Sequence, residues 1–155
     1  GARVVNLGSL VAGRGRIGQG SATHRVDLTL LADSKIAQVV FAGELRRRSA
    51  AAGAGVHAVA AHPGWCQTRI VDPPPPALGE LAGELIGALQ SPADGAQPVL
   101  LAATDPRPGA YYGPTGVVAQ PADRAGAIAT GTLVPDVGSR LWEMSTELTG
   151  VALEP

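Results

Sequence analysis

The fold of this chain is decided by the stretch from residue 33 to residue 48, which is DSKIAQVVFAGELRRR. Apolar residues recur in it every three or four positions, the spacing that places them on one face of an α-helix. The pattern extends in both directions and predicts a helix over residues 28–52. Gly53 and Gly55 follow it, and glycine is the residue that most often ends a helix.

Two polar features of this predicted helix suggest local roles. Asp33 or Ser34 could act as a local cap, because their side chains accept hydrogen bonds from backbone N–H groups. The run Arg46–Arg48 is the densest basic stretch of the chain. We interpret it as a solvated helix C-terminus, where cations suit the helix dipole, with a phosphate-binding patch as the minor alternative.

Two short apolar runs flank the helix. The first, Arg3–Leu7, is closed by Gly8 and Ser9, and the second, Val56–Ala61, is closed by His62, Pro63 and Gly64. Both lack the alternation of a surface strand, which predicts parallel strands buried on both faces. The carboxyl ends of parallel strands meet at one edge of a sheet. We therefore expect Ser9, Lys35 and the Pro63–Gly64 turn to converge on one crevice.

The rest of the chain adds further helices and one more strand. Strands and helices in this order are typical of an α/β domain with about three parallel strands and flanking helices. We expect Trp142 and Met144 to pack in the core. The predicted elements are an amphipathic helix over Leu78–Leu89, a helix capped by Ser91 that continues to Ala103, a short strand over Ala110–Pro114, and a last helix from Asp136 to Gly150.

Composition limits the function classes. The chain has 155 residues, of which 45% are hydrophobic, and a net charge of −1, which gives no electrostatic reason to expect nucleic acid or membrane binding. It contains no apolar run of about 18 residues. Its single cysteine, Cys66, excludes an internal disulfide and fits a reducing cytoplasm, our expected location. Three histidines and one cysteine show no metal-ligand spacing.

Several motifs occur in an order that we know from one family. They are Val5–Leu10 (VNLGSL), Ser34–Ala37 (SKIA), His62–Gly64 followed by Thr68, Tyr111–Gly116 (YYGPTG) and Leu141–Gly150 (LWEMSTELTG). With them the chain resembles the later half of a short-chain dehydrogenase/reductase, in the retinol-dehydrogenase-like branch. The resemblance implies the C-terminal half of a Rossmann-like doubly wound sheet. Residues 1–155 would then form a single partial domain from which the glycine-rich cofactor half is absent.

The resemblance also implies roles for five residues. Ser9 would hydrogen-bond the substrate carbonyl or hydroxyl, and Lys35 would hold the nicotinamide ribose and lower the pKa of a tyrosine. Pro63 and Gly64 would line the nicotinamide, and Thr68 would contact its carboxamide or the phosphates. The implied cofactor is NAD or NADP, and the implied substrate is a small alcohol or carbonyl compound.

Two departures from the family pattern weaken the expected activity. The tyrosine should lie four residues before Lys35, one helical turn back, and that position holds Leu31. The stretch Gly13–Gly18 contains G-x-G-x-x-G but follows no adequate strand, so it is a weak sign of phosphate binding. Tyr111 and Tyr112 match a structural strand of the family.

We therefore expect weak or no dehydrogenase activity from this chain alone. Losing a positioned acid or base typically costs about 10²–10⁴-fold in rate. The alternative is a non-enzymatic remnant or interaction module, because the strand Arg3–Leu7 would leave an exposed sheet edge that invites self-association. A further alternative is an enzyme whose other half is a separate polypeptide.

Overall fold

The computed structural model of this chain describes residues 1–17, 28–68, 89–114, 122–123 and 135–152. Within these residues the strands β1 (Ala2–Leu7), β2 (Val56–Ala61), β3 (Tyr111–Pro114) and β4 (Ala122–Asp123) form one sheet in that order. β1, β2 and β3 are parallel, and β4 is antiparallel to β3. The helices are a 3₁₀ helix (Leu10–Arg14), α1 (Leu28–Ala52), α2 (Pro92–Thr104) and α3 (Pro135–Thr149). The predicted α/β class is confirmed.

Helices cover the sheet on both faces, which explains the apolar run of the central strand β2. Ala60 and Tyr111 face α1, where Ile36 and Val40 complete one buried cluster. The alternate residues of β2 and β3 face α2 and form a second cluster around its Ala102. Because β2 has a helix on each side, it is buried over Ala58–Ala61 without polar alternation, as parallel strands are.

α1 also packs against α3, through polar and aromatic contacts. Phe41 stacks on Trp142 with ring centroids 5.0 Å apart, and the Arg48 guanidinium lies 4.7 Å from the Trp142 ring centroid. The buried Glu44 carboxylate accepts from Arg47 at 2.6 Å and from Arg48 at 2.7 Å. The hydrogen bond from Arg47 lowers the pKa of Glu44 to about 2. The prediction of a solvated C-terminus is thus wrong for this arginine pair, which lies inside α1 and neutralises a buried acid.

The edge position of β1 changes its burial. The sequence predicts a fully buried strand, but β1 is only half-buried and Leu7 is 45% exposed. The reason is that β1 has a neighbouring strand on one side only among the described residues. The burial part of that prediction is wrong, while its parallel pairing with β2 is confirmed.

Other expectations divide between confirmed and wrong. The Ser91 cap is confirmed, since its Oγ accepts from the Asp94 N–H at 3.1 Å. Asp33 and Ser34 lie inside α1 and do not cap it; Asp33 instead accepts from the Arg16 N–H at 2.6 Å. Trp142 is buried, but Met144 is 37% exposed.

Two regions of the chain differ from the sequence expectation in extent. The 3₁₀ helix and β4 lie in stretches that show no helical or strand periodicity, and the sequence does not predict either as a defined element. The helix expected over Leu78–Leu89 lies almost entirely outside the described residues.

Candidate functional site

The carboxyl ends of the three parallel strands meet at one edge of the sheet, where the candidate site lies. The N–H of Gly8, just after β1, donates to the Ala61 carbonyl at the end of β2, with 2.7 Å between nitrogen and oxygen. The N–H of His62 donates in turn to the Tyr112 carbonyl of β3 at 2.9 Å. The turns that follow β1 and β2 therefore lie side by side, as the parallel order predicts.

Lys35 reaches this edge from α1. Its ammonium Nζ donates to the carbonyl oxygen of Leu7 at 3.1 Å, and Leu7 is the last residue of β1. Ser9 follows two residues later, so Lys35 and Ser9 lie at the same end of the same strand. Asn6 joins strand and helix at this level, because its Nδ2 donates to the Gln38 carbonyl at 2.9 Å. The structure brings Lys35 and Ser9 together.

Ser9 is half-buried and has extended backbone dihedrals, with φ −160° and ψ 159°. Its Oγ accepts from the Val11 N–H at 3.4 Å and caps the 3₁₀ helix. A serine hydroxyl that accepts one hydrogen bond still has its own proton to donate. Ser9 can therefore hold the chain end locally and still donate to an oxygen atom of a bound molecule.

The turn after β2 is locked from several sides. Gly64 has φ +75°, a left-handed conformation that favours glycine, and its N–H donates to Nδ1 of His62 at 3.1 Å. A neutral His62 that accepts at Nδ1 has its proton on Nε2. A Cβ on Gly64 would lie 2.6 Å from Cγ of Pro114 and 2.7 Å from Nε2 of Gln90. The Gln90 amide also donates to the Pro63 carbonyl, which fixes the turn.

Gln90 is a residue of this site that sequence reasoning missed. Its backbone pairs with the residues after the turn, since the Gln67 N–H donates to the Gln90 carbonyl at 3.0 Å. Nothing in the sequence connects Gln90 with a turn so far upstream, because the contact is tertiary. Thr68 lies just beyond this pairing, is exposed, and has no side-chain hydrogen bond within the described part of the chain. Its role stays a prediction.

No tyrosine occupies the position one helical turn before Lys35, where Leu31 is half-buried. The phenol of Tyr111 lies on the same face of the sheet but elsewhere along α1. A Cβ on Gly8 would be 3.0 Å from the Tyr111 hydroxyl and 3.1 Å from Cγ2 of Val39. Val39 is one turn after Lys35, whereas Leu31 is one turn before it. Tyr111 therefore does not replace the missing tyrosine.

The chemistry of Tyr111 points the same way. The residue is only 7% exposed, and its hydroxyl has no hydrogen-bond partner among the described residues. Burial raises the pKa of Tyr111, so its phenol stays neutral near pH 7 and cannot serve as a base. The ring stacks on His62 at 5.3 Å between centroids, and burial lowers the pKa of His62 as well. Both rings are neutral packing elements under the crevice.

The glycine-rich stretch after Ser9 has a packing role. Gly13 belongs to the short 3₁₀ helix, and a Cβ on Gly15 would collide with the backbone carbonyl of Ala32 in α1. Gly15 thus permits a close approach between this loop and α1. Gly18 lies outside the described residues. A strand followed by a glycine turn and a long helix, which a dinucleotide pyrophosphate needs, does not occur here, so the residues do not fit that group.

Three other features bear on function. A groove of about 340 Å³ lies along α3, lined by Ile17 and by side chains of α3 from Val137 to Glu147, and it contains none of the predicted site residues. Within the described residues no group of His, Cys, Asp and Glu side chains could hold a metal ion. In the same part of the chain, no helix has the length and apolar character needed to cross a membrane.

Comparisons with known proteins give one informative likeness. No protein-family model matches this chain, and no curated protein matches it. Among solved structures the chain is similar to an uncharacterized protein from Mycobacterium paratuberculosis, with 28% identity and a TM-score of 0.70 over 97% of this chain and 51% of that one. This chain spans about half the length of that protein. The three parallel strands with helices on both faces are a Rossmann-like half fold, as predicted.

Proposed function

We propose that this chain provides the substrate-side half of the reaction centre of a short-chain dehydrogenase/reductase-type oxidoreductase. The reaction would transfer hydride between NAD or NADP and an alcohol or carbonyl compound. The observation that carries the proposal is the contact of the Lys35 ammonium with the Leu7 carbonyl, beside Ser9 and the turn after β2. A cytoplasmic location is part of the proposal, and it agrees with the single cysteine.

Each residue has a defined task in this proposal. The Ser9 hydroxyl would donate to the substrate oxygen and orient it. Lys35 would leave the Leu7 carbonyl and donate to the ribose hydroxyls of the cofactor, whose nicotinamide supplies the hydride when it is bound. The turn at Pro63 and Gly64 would form a fixed wall, because Gln90 already holds the Pro63 carbonyl. Thr68 would contact the carboxamide or the phosphates.

The proposal includes a low activity for the chain by itself. Leu31 has no proton to exchange with the substrate oxygen, and the buried Tyr111 is neutral and lies on the other side of Lys35. The glycine stretch after Ser9 does not fit a pyrophosphate, so most of the cofactor would have no binding site here. We expect no saturable binding of NADH or NADPH in a fluorescence titration, and micromolar affinity would contradict this part.

A Leu31→Tyr variant tests the location of the site without any need for turnover. The new phenol would lie one helical turn from Lys35, and a nearby ammonium stabilises a phenolate. We expect its pKa to fall below the ordinary tyrosine value of about 10. The measurement is the ultraviolet difference spectrum of the variant against the parent chain as pH rises, which isolates the added phenol from Tyr111 and Tyr112.

The matched control is the double variant Leu31→Tyr with Lys35→Met. It keeps the phenol and removes the charge, so the pKa should return toward the ordinary tyrosine value. Equal pKa values in the single and double variants would show that Lys35 does not act on this position. The proposed reaction centre would then be wrong.

A further inference from the structure

β1 is the outer strand of the described sheet, and the direction of its backbone groups is fixed by its pairing with β2. Leu7 lies opposite Ala61, and the Gly8 N–H donates to the Ala61 carbonyl at 2.7 Å. Alternate residues of a strand direct their backbone groups to opposite sides, so the even-numbered residues of β1 face β2. Arg3, Val5 and Leu7 therefore direct their N–H and C=O groups outward, as an edge strand does.

Lys35 covers part of this outward row. Its ammonium donates to the Leu7 carbonyl at 3.1 Å, the last outward acceptor of the strand. The backbone N–H and C=O groups of Arg3 and Val5 have no partner within the described residues. The free part of the edge is thus a short ladder at Arg3 and Val5, and Lys35 marks where it ends.

Both faces of β1 are already covered, so only its edge is free. On one face Asn6 bonds to Gln38 of α1. On the other, Arg3 Nη1 donates to the carbonyls of Ala102 and Asp105, at 3.0 and 2.8 Å, at the end of α2. An added segment can therefore only extend the sheet. Since helices cover both faces of this parallel sheet, the added strand needs helices of its own to cover its two faces.

We propose that the free edge of β1 receives a parallel strand from an α/β unit that has its own flanking helices. About half of the similar mycobacterial protein has no counterpart in this chain, although nearly all of this chain has one in it. On the other side of the sheet, β4 already pairs with β3, which leaves β1 as the free edge of the described sheet. The proposal rests on backbone geometry and does not depend on hydride transfer.

The test mixes this chain with the part of the mycobacterial protein that has no counterpart here, and it compares Val5→Pro with Val5→Ala. Proline removes the outward N–H of Val5 without touching a bond to β2, and it is tolerated at a strand edge whose N–H faces solvent. Alanine removes the same packing against the α2 side but keeps the N–H. By light scattering after size exclusion, we expect a one-to-one complex for the parent and Val5→Ala, and at least tenfold weaker binding for Val5→Pro.

Hydrogen exchange of the parent chain provides a second readout that needs no variant. In the chain alone, the amides of Arg3 and Val5 should exchange quickly, whereas those of Val4 and Asn6, which face β2, should exchange slowly. Adding the mycobacterial segment should protect Arg3 and Val5. The proposal is overturned if no complex forms, if Val5→Pro binds as tightly as Val5→Ala, or if these amides are protected in a self-associated form of the chain alone, which would place a second copy on the edge.

The outcomes are separable from those of the proposed function. A complex that protects Val5 while the Leu31→Tyr phenol has an ordinary pKa would support the strand pairing and contradict the reaction centre. A lowered phenol pKa without any complex would do the reverse.

Discussion

The turns after β1 and β2 end neighbouring strands at the same sheet edge, but different kinds of contact hold them. The β2 turn is fixed by packing, with Gly64 against Pro114 and Gln90, and the His62 ring against Gly113 of β3. The β1 turn is held by two exposed or half-exposed polar contacts, those of Lys35 with Leu7 and of Ser9 with Val11. The central strand has neighbours on both sides and the outer strand has one.

This difference indicates how the two walls of the crevice can behave. A wall fixed by packed backbone and rings cannot move without losing buried contacts, so the β2 turn is suited to act as a rigid backing surface. A wall held by single hydrogen bonds near solvent can rearrange at a cost of about 1 kcal/mol each. Lys35 and Ser9 can therefore change partners, which a residue that must bind a ligand has to do.

The largest expected effect is that of Gly64→Ala on the packed turn. The substitution puts a side chain at φ +75° and drives its Cβ into Pro114 and Gln90. Gly53→Ala is the matched control, because Gly53 has φ +63° but open space around it. We expect Gly53→Ala to lower the free energy of unfolding by about 1–2 kcal/mol through backbone strain, and Gly64→Ala to exceed it by about 1–3 kcal/mol through overpacking. Chemical denaturation measures both. Equal losses would show that the β2 turn is not locked by packing.

A smaller effect is expected from acidification, through His62. Burial lowers the pKa of this ring in the folded chain, so the unfolded chain takes up its proton first as pH falls. The stabilising contribution is therefore complete above the unfolded pKa of about 6.5 and is lost as pH falls through the lower folded pKa. Denaturation midpoints measured between pH 8 and 5 should decline in the parent.

The control for this prediction compares two histidine variants. His62→Phe keeps a ring against Tyr111 and should remove much of the decline, whereas His57→Gln changes an exposed residue at the start of β2 and should retain it. A decline that disappears in His57→Gln instead would assign the pH dependence to the wrong strand end in our account.

The smallest effect is expected at the β1 turn. Lys35→Met removes one hydrogen bond in a partly exposed place, so the free energy of unfolding should fall by about 1 kcal/mol or less. Lys35→Arg, which can still donate to the Leu7 carbonyl, should lie closer to the parent. A loss of several kcal/mol in Lys35→Met would mean that the β1 turn is as firmly fixed as the β2 turn, and the contrast between the two would be wrong.

The sequence predicts most of the framework, because periodicity and terminators are local signals. The length of α1, the Ser91 cap, the parallel strands and the α/β class all follow from residues close together in the chain. It also predicts that Ser9, Lys35 and the Pro63–Gly64 turn share one sheet edge, since that follows from parallel order alone. The burial of β1, the salt-bridged Glu44 and the exposure of Met144 were predicted wrongly or missed, because each depends on which elements become neighbours.

By itself, the sequence determined the helices, the strands and the edge at which their polar residues meet, since these depend on spacing along the chain. Only the tertiary structure decided that Gln90 holds the Pro63 carbonyl, that Gly15 makes room for α1, and that Tyr111 lies on the wrong side of Lys35 to act as its partner. It also decided that β1 has a free edge at Arg3 and Val5. These are contacts between segments far apart in the chain, and their distances are fixed by packing, on which local spacing has no influence.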